Sequence, residues 1–321
     1  MMRKLSVFVS ALLFSGAVLA QAYPSRAVKV IVPWPPGQAT DIAARVVAEK
    51  LSATLGQPFV IDNKPGAGGS IGSDLVAKSA PDGYTLLASS SGPISIMPNL
   101  QKTPYDSGKD LVGVSLTALA PFALVVKPDF PAKNAAEFVA LVRANPDKYA
   151  FASSGTGATA HLVAELFNTM ANLKARHVPY KGSAPALTDV INGQVDYTLE
   201  TFASVLPHIK SGRLKTFGVS FERGAAAMPD VPPLAKAANI PGYDIGAWIG
   251  YSAPAGTPKE IREKLSAEIR KAMSAPDLRE RYVALGLEPA SMAPDEMDAF
   301  LKKEMERYGS IIKARGIKIE Q

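Results

Sequence analysis

Short apolar runs rich in β-branched residues alternate with amphipathic segments along most of the chain. The first run is Val28–Val32, and residues 40–55 follow it with apolar side chains at helical spacing on one face. The alternation continues with a run at 59–61, a helical segment at 70–78 and a strand at 85–88. This order of strand, helix and strand predicts a mainly parallel sheet that helices cover on both faces.

A second series of the same kind begins after residues 116–126, an uncharged, extended stretch that is broken at Pro121. We expect this stretch to cross from one lobe to another. The second series predicts helices at 134–144, 160–170, 184–192 and 203–211, and strands at 149–152, 175–178, 195–199 and 216–220. Gly193 is expected to end the third of these helices in a left-handed conformation.

A Pro- and Ala-rich stretch at 224–233 predicts the return crossing, after which a strand at 248–253 rejoins the first sheet. Three C-terminal helices are expected to begin near Pro258, Pro276 and Pro294, because proline is favoured in the first turn of a helix. The predicted fold class is therefore α/β: a hinged clamshell of two lobes, each a βαβ-type, mainly parallel sheet flanked by helices. We expect lobe 1 to comprise 23–120 and 224–321, and lobe 2 to comprise 121–223.

The first 22 residues have the organisation of a secretory signal peptide. Arg3 and Lys4 form a basic start, residues 5–19 an apolar run, and residues 20–22 an A-x-A cleavage site. An uncleaved anchor is the alternative, but this apolar run is shorter than the roughly 20 residues that span a bilayer. We expect residues 1–22 to be removed on export and the mature protein to be soluble.

Composition excludes several classes of site and partner. The sequence contains no cysteine, which rules out disulfides, a thiolate nucleophile, cysteine-based metal sites and a lipid-modified cysteine after the signal. Loss of Arg3 and Lys4 with the signal leaves 33 of the 35 basic residues against 29 acidic ones, a balance of +4. These charges are scattered, without a Lys/Arg run, which argues against nucleic-acid binding.

Two loops between a strand and the following helix are candidate ligand sites, because helix N-termini present unpaired backbone N–H groups there. The first loop contains three prolines and a glycine, and Thr40 or Asp41 could cap its helix. The second is rich in glycine and small hydroxyl residues, which let a carboxylate approach the backbone. Ordinary capped turns could share this composition. The candidate ligand-binding residues are Trp34, Gly37, Gln38, Ala39, Thr40 and Asp41 in the first loop, and Ser153, Ser154, Gly155, Thr156, Thr159 and His161 in the second.

Two charged side chains outside these loops are also candidate ligand-binding residues. Glu200 should lie at the carboxyl end of a strand, where it would favour a ligand with an amine or hydroxyl donor and penalise a bare anion. Alternatively, it forms an ion pair with Lys181 or another base. Lys181 precedes a predicted helix and is the basic group best placed to meet a ligand carboxylate.

Catalytic, metal and cofactor chemistry find little support in the motifs. Residues 65–72 are glycine-rich, but Ile71 stands where a dinucleotide fingerprint needs its third glycine. His161 and Glu165 are four residues apart, yet no H-E-x-x-H motif and no third metal ligand accompany them; His161 could equally be a hydrogen-bonding or a structural residue. No G-x-S-x-G nucleophile elbow occurs. We therefore expect no catalytic residue, no metal and no cofactor.

An ordered series of motifs along the mature chain resembles the Bug-type receptors, the substrate-binding proteins of the tripartite tricarboxylate transporters of Gram-negative bacteria. The series is specific and covers essentially the whole mature chain. Its main motifs are Tyr-Pro-Ser-Arg at 23–26, Asn-Lys-Pro-Gly-Ala-Gly-Gly at 63–69, Pro-Asp-Gly-Tyr-Thr-Leu-Leu at 81–87, Val-Pro-Tyr-Lys-Gly at 178–182 and Ser-Ala-Pro-Ala-Gly-Thr-Pro at 252–258.

The resemblance implies the fold of periplasmic binding proteins and a monomeric, non-enzymatic receptor in the periplasm. Its ligands would be di- or tricarboxylates, amino acids or aromatic acids, and its partners the membrane subunits of a tripartite tricarboxylate transporter. In such receptors backbone groups and ordered water at the two loops hold the ligand carboxylate. This chain departs from the pattern at Trp34, Gln38 and Glu200, where the family often has Phe, Gly and Asp. A periplasmic hydrolase and a ligand receptor for a two-component sensor are the alternatives.

Overall fold

The structure is a computed structural model, and it describes residues 23–318. The predicted signal peptide, 1–22, lies outside the described residues. The strands are β1 Val28–Val32, β2 Phe59–Asn63, β3 Thr85–Ser90, β4 Leu111–Val126, β5 Ala150–Ser153, β6 Arg176–Pro179, β7 Tyr197–Thr201, β8 Lys215–Val219, β9 Gly246–Pro254 and β10 Glu288–Pro289. The helices are α1 Ala39–Leu55, α2 Ser70–Ala77, α3 Met97–Leu100, α4 Ala135–Ala144, α5 Thr159–Met170, α6 Ser183–Ile191, α7 Phe202–Lys210, α8 Leu234–Ala237, α9 Lys259–Ser274, α10 Pro276–Ala284 and α11 Pro294–Arg315.

The strands form one continuous sheet in the order β2-β1-β3-β9-β4-β7-β5-β6, with β8 and β10 also pairing with β4. Its two ends are parallel: β1 pairs with β2 and β3, and β5 pairs with β6 and β7. Its middle is antiparallel, because β4 and β9 run against each other and against their outer neighbours. The α/β clamshell is confirmed. The prediction of mainly parallel sheets is wrong for this central part.

Strand β4 joins the two halves of the sheet. It pairs with β9 from Leu111 to Pro121 and with β7 from Phe122 to Val126, so its partners change at the predicted break. A chain that crosses to the second half and later returns must run in opposite directions on the two crossings. This geometry explains the antiparallel pairing of β4 with β9, which an alternation of strands and helices does not reveal.

We propose that the return crossing lies later in the chain than residues 224–233. The Pro- and Ala-rich stretch 224–233 stays with the second half, where Ala225 and Val231 pack into its separate apolar cluster. Val219 of β8 also forms a parallel bridge with Pro233. The chain returns only at Gly246, where β9 begins to pair with β4. The lobe limits 23–120, 121–223 and 224–321 stay a prediction, and we propose to move the second limit to about 245.

Most predicted elements are confirmed within a few residues, and Gly193 has the predicted left-handed conformation, with φ of +74°. The short elements α8 and β10 were not predicted, nor was the region after β3. After β3 a buried π-helical turn, Gly92–Ile96, leads directly into α3, in which Met97 is buried. In the part of the chain from 23 to 318, no helix combines the length and apolar character that a membrane crossing requires.

Candidate functional site

A small pocket, here called the inner pocket, lies between the two halves of the sheet and has a cavity volume of about 40 Å³. Its floor comes from the two crossing strands: Phe122 of β4, and Ala247 and Ile249 of β9. Its walls are the starts of helices from both halves. The pocket is therefore built where the chain passes between the halves, which is where a hinge motion would open and close it.

Two long helices, one from each half, point their N-termini into the inner pocket. Ala39 and Thr40 begin α1, and Thr159 and Ala160 begin α5; all four residues line the pocket. Neither N-terminus has a side-chain cap. The first amides that donate within the helices are those of Ile42 in α1 and His161 in α5. The N–H groups of the four lining residues are thus available to a bound group.

Two shorter helices of the second half also start at the inner pocket. Ser183 is the first residue of α6, and Thr201 immediately precedes α7; both line the pocket. Each helix N-terminus carries partial positive charge, equivalent to about half an elementary charge. Among the described residues that line the inner pocket there is no Lys, Arg or His. The positive potential in this pocket therefore comes from backbone, which suits a small anion.

The two halves are in contact across the pocket. The Ser91 hydroxyl, just after β3, lies 2.8 Å from the Thr159 hydroxyl at the start of α5. On the rim, a Cβ built on Gly68 would lie only 3.3 Å from the carbonyl oxygen of Thr156. A Cβ on Gly182 would lie 3.0 Å from Pro35 Cγ. These close approaches describe a closed cleft.

Trp34 forms one wall of the inner pocket and is fixed in place by a hydrogen bond. Its indole Nε1–H donates to Ser90 Oγ at 2.9 Å, and the residue is buried. The edge of the ring lies against Gly92, where an added Cβ would come within 2.8 Å of Trp34 Cζ2. A bulky aromatic side chain held in this way sets the width of the pocket.

Three buried polar atoms of the inner pocket have no hydrogen-bond partner among residues 23–318: Gln38 Nε2, Ser183 Oγ and Glu200 Oε2. Buried polar groups are nearly always paired, so each such atom needs an explanation. Three of them facing one pocket are explained by a ligand or by ordered water that completes their hydrogen bonds.

Glu200 is the one ionisable side chain in the lining of the inner pocket within the described residues. Burial raises the pKa of its carboxyl above the ordinary value, although the Thr201 backbone N–H and the nearby Ser183 and Ser154 hydroxyls oppose this. Oε1 accepts the Thr201 N–H at 2.7 Å, whereas Oε2 is unpaired. The alternative of an ion pair with Lys181 is wrong, because no base is among the groups that act on this carboxyl.

Seven of the predicted site residues line the inner pocket: Trp34, Gln38, Ala39, Thr40, Ser154, Thr159 and Glu200. Three others, Gly155, Thr156 and Lys181, line a wider outer pocket of about 510 Å³ that shares Trp34 and Ser154 with the inner one. The glycine-rich loop at 66–69 forms the opposite side of this outer pocket. The outer pocket is therefore the entrance.

Asp41 and Gly37 are corrected, because neither lines the pocket. Asp41 is buried and accepts hydrogen bonds from the Gly37 N–H, from Arg45 and from Asn63. Burial raises the pKa of this carboxyl, but the hydrogen bonds outweigh burial and hold the pKa below its usual value. The role of Asp41 is to fix the turn before α1. It does not cap the helix as predicted, and the N-cap position is Gln38.

Ser153 and His161 are also corrected. Ser153 Oγ lies 2.7 Å from His177 Nε2. His161 faces a different cavity, stacks on His177 with ring centroids 4.1 Å apart, and accepts the Gly157 N–H through Nδ1 at 3.3 Å. His161 therefore stabilises the second loop through this hydrogen bond and does not face the inner pocket.

Sequence reasoning missed the residues that other elements bring to the inner pocket. Ser183 starts α6 after β6, and Thr201 ends β7 immediately before α7. Both lie between a strand and a helix, like the two predicted loops after β1 and β5, so the same rule could have found them. Phe122, Ala247 and Ile249 come from the crossing strands, and no local motif indicates that their side chains form a floor.

The sequence profile of a family described as "Tripartite tricarboxylate transporter family receptor" matches residues 43–317. The protein BugT of Bordetella pertussis is 36% identical over 321 residues, covering 98% of this chain and 97% of BugT. The solved structure of periplasmic binding protein BugD shares 32% identity with a TM-score of 0.87, covering 93% of this chain and 100% of BugD.

Two further solved structures contain bound carboxylates. Rpa4515 of R. palustris with adipate is 32% identical, with a TM-score of 0.89, and the match covers 92% of this chain and 99% of that one. MatC of Rhodopseudomonas palustris with bound malate is 33% identical, with a TM-score of 0.84, and the match covers 90% of this chain and 100% of MatC. The chain belongs to the tripartite tricarboxylate transporter family of receptors, which are solute-binding proteins and not enzymes.

Proposed function

We propose that this protein is a periplasmic receptor that binds a small carboxylate between its two lobes and delivers it to the membrane subunits of a tripartite tricarboxylate transporter. The observation that carries the proposal is the convergence of uncapped helix N-termini from both halves on one closed pocket without a basic side chain in its lining. Backbone amides at such ends bind anions, and amides from both halves tie anion binding to closure.

The magnitudes agree with reversible binding. A hydrogen bond to a charged group contributes about 1.5–3 kcal/mol net. Four such bonds, from the amides of Ala39, Thr40, Thr159 and Ala160, give roughly 6–12 kcal/mol before the entropy of association and of lobe closure is subtracted. Micromolar affinity needs about 8 kcal/mol. Direct and water-mediated contacts to these amides would therefore be sufficient.

The related structures support the ligand class. Rpa4515 holds adipate and MatC holds malate, each a small organic acid. The predicted export signal and the receptor family support a periplasmic location and a transporter partner. We infer the same chemistry here, a ligand with at least one carboxylate that meets the amides of α1 and α5.

The test is a thermal-shift screen of the purified mature protein against mono-, di- and tricarboxylates, with neutral sugars as controls. A ligand that binds only the folded state raises Tm, so we expect at least one small carboxylate to raise the Tm of the protein. The mass of that carboxylate should be unchanged after incubation. A Tm shift with sugars alone, or conversion of the carboxylate, would contradict the proposal. Loss of carboxylate uptake on deletion of the gene, with rescue by the wild type, tests the transporter partnership.

A further inference from the structure

The inner pocket offers a second kind of contact besides the helix amides. We call Gln38, Ser183 and Glu200 the polar cluster. The three residues are 7%, 3% and 2% exposed, and each has one polar side-chain atom without a hydrogen-bond partner among residues 23–318. All three line the inner pocket, so a ligand that fills it would lie beside them.

The polar cluster draws on both halves of the molecule. Gln38 stands at the N-cap of α1 in the first half, yet its Nε2 would lie 3.5 Å from a Cβ on Gly182, in the loop before α6 of the second half. Ser183 directly follows that glycine, and its hydroxyl lies close enough to the Glu200 carboxyl to lower the pKa of that carboxyl. The side chain of Gln38 therefore lies across the cleft, beside the loop of the second half.

The chemistry of the cluster selects against a second negative charge. A ligand carboxylate beside Glu200 would meet another carboxyl in a water-poor pocket, with no basic side chain in the described lining to compensate. A hydroxyl or an ammonium would instead donate to the unpaired Glu200 Oε2, while a hydroxyl oxygen could also accept from Gln38 Nε2. Leaving Oε2 unpaired costs free energy that such a ligand recovers.

We propose that the ligand is a small monocarboxylate that also carries a hydrogen-bond donor, a hydroxyl or an amino group, and that the polar cluster selects it over dicarboxylates of equal length. The inference rests on the proposed function, because the amide ends of α1 and α5 must hold the single carboxylate. It names the ligand class of that same site.

The experiment is calorimetric titration of the mature protein with a four-carbon series: butyrate, its 2-, 3- and 4-hydroxy and 4-amino derivatives, and succinate. Equal chain length separates the effect of the second group from the effect of size. We expect at least one donor-bearing acid to bind tenfold or more tightly than both butyrate and succinate.

The variant Glu200→Gln tests the cluster without removing the acceptor for the Thr201 N–H. We expect the preference for the donor-bearing acid over succinate to fall at least tenfold in this variant. Ser183→Ala should weaken binding of the donor-bearing acid more than binding of butyrate. Glu304→Gln is the matched control, because Glu304 is also buried but pairs with Arg307 away from the inner pocket. The order of affinities should be unchanged in this control.

Two results would overturn the inference while leaving the proposed function intact: succinate binding as tightly as every donor-bearing acid, or an unchanged preference in Glu200→Gln. If no member of the series and no longer carboxylate binds at all, the proposed function fails, and the inference fails with it. If the control Glu304→Gln also lost the preference for the donor-bearing acid over succinate, the effect would not be specific to the pocket. That result would also overturn the inference.

Discussion

Ser91 and Thr159 form a hydrogen bond between their hydroxyls, 2.8 Å long, across the cleft that separates the two halves of the protein. Ser91 follows β3 of the first half, and Thr159 is the first residue of α5 in the second. Thr159 also lines the inner pocket. A contact that closes the cleft is therefore adjacent to the amides that we expect to bind the ligand, which couples closure to binding.

Removal of this contact should weaken binding through closure. We expect Ser91→Ala to lower affinity for the bound carboxylate about three- to tenfold, because a hydrogen bond contributes about 0.5–1.5 kcal/mol and this one exists only in the closed state. Isothermal titration measures the change. Ser89→Ala is the matched control, since Ser89 bonds Ser252 within the first half. Equal loss of affinity in both variants would show that the Ser91 contact has no special role.

A methyl group behind Trp34 should narrow the pocket. In Gly92→Ala the new Cβ would lie 2.8 Å from Trp34 Cζ2, so the indole must shift toward the ligand or lose its bond to Ser90. We expect affinity to fall at least tenfold. Gly108→Ala is the control, because its new Cβ would meet only Asp106 Oδ1 at 3.6 Å. Unchanged affinity in Gly92→Ala would mean that the indole does not border the bound ligand.

Proline at position 155 should damage the second loop more than the fold. Gly155 has φ of +138°, which proline cannot adopt, and its N–H donates to Ser153 Oγ. We expect Gly155→Pro to reduce affinity at least tenfold while Tm falls by only a few degrees, because the loop lies at the pocket entrance and outside the core. Titration and thermal unfolding of the same sample separate the two effects. An unaltered affinity would place the second loop outside the site.

Acid should destabilise the protein through the stacked histidines. Burial, together with the neighbouring His161, lowers the pKa of His177 to about 3. In the unfolded chain, His177 therefore binds a proton near pH 6.5, whereas in the folded state it binds one only near pH 3. The free energy of unfolding should fall as pH decreases through this window, by less than about 1.4 kcal/mol per pH unit, since the ring is partly exposed.

The variant that tests this is His177→Leu, with urea unfolding measured at several values between pH 4 and pH 7. We expect lower stability than wild type at pH 7, because the bond to Ser153 is lost, but a shallower dependence on pH. His208→Leu, at the end of α7, is the comparison. Burial also lowers the pKa of His208, but less than that of His177, so this variant should keep a steeper pH dependence than His177→Leu. A pH dependence as steep in His177→Leu as in the wild type would contradict the assignment.

The sequence could predict those parts of the site that depend on local rules. A loop between a strand and a helix places Ala39 and Thr159 at the pocket whatever the rest of the fold does, and Glu200 follows its strand in the same way.

The course of the chain between the lobes depends on long-range pairing. The break at Pro121 marked the first crossing, but no comparable signal marks Gly246, where we propose that the second crossing lies. The direction of side chains could not be predicted either. Asp41 and His161 lie in the predicted loops, but each accepts a hydrogen bond from a backbone N–H of its own loop instead of facing the pocket.

The most direct test is the crystal structure of the mature protein with the tightest-binding carboxylate from the four-carbon series. We predict that the carboxylate oxygens lie within about 3.2 Å of backbone N–H groups at the starts of both α1 and α5, or are joined to them by a single water. A carboxylate bound by Lys181 in the outer pocket, or one that touches the amides of only one half, would contradict it.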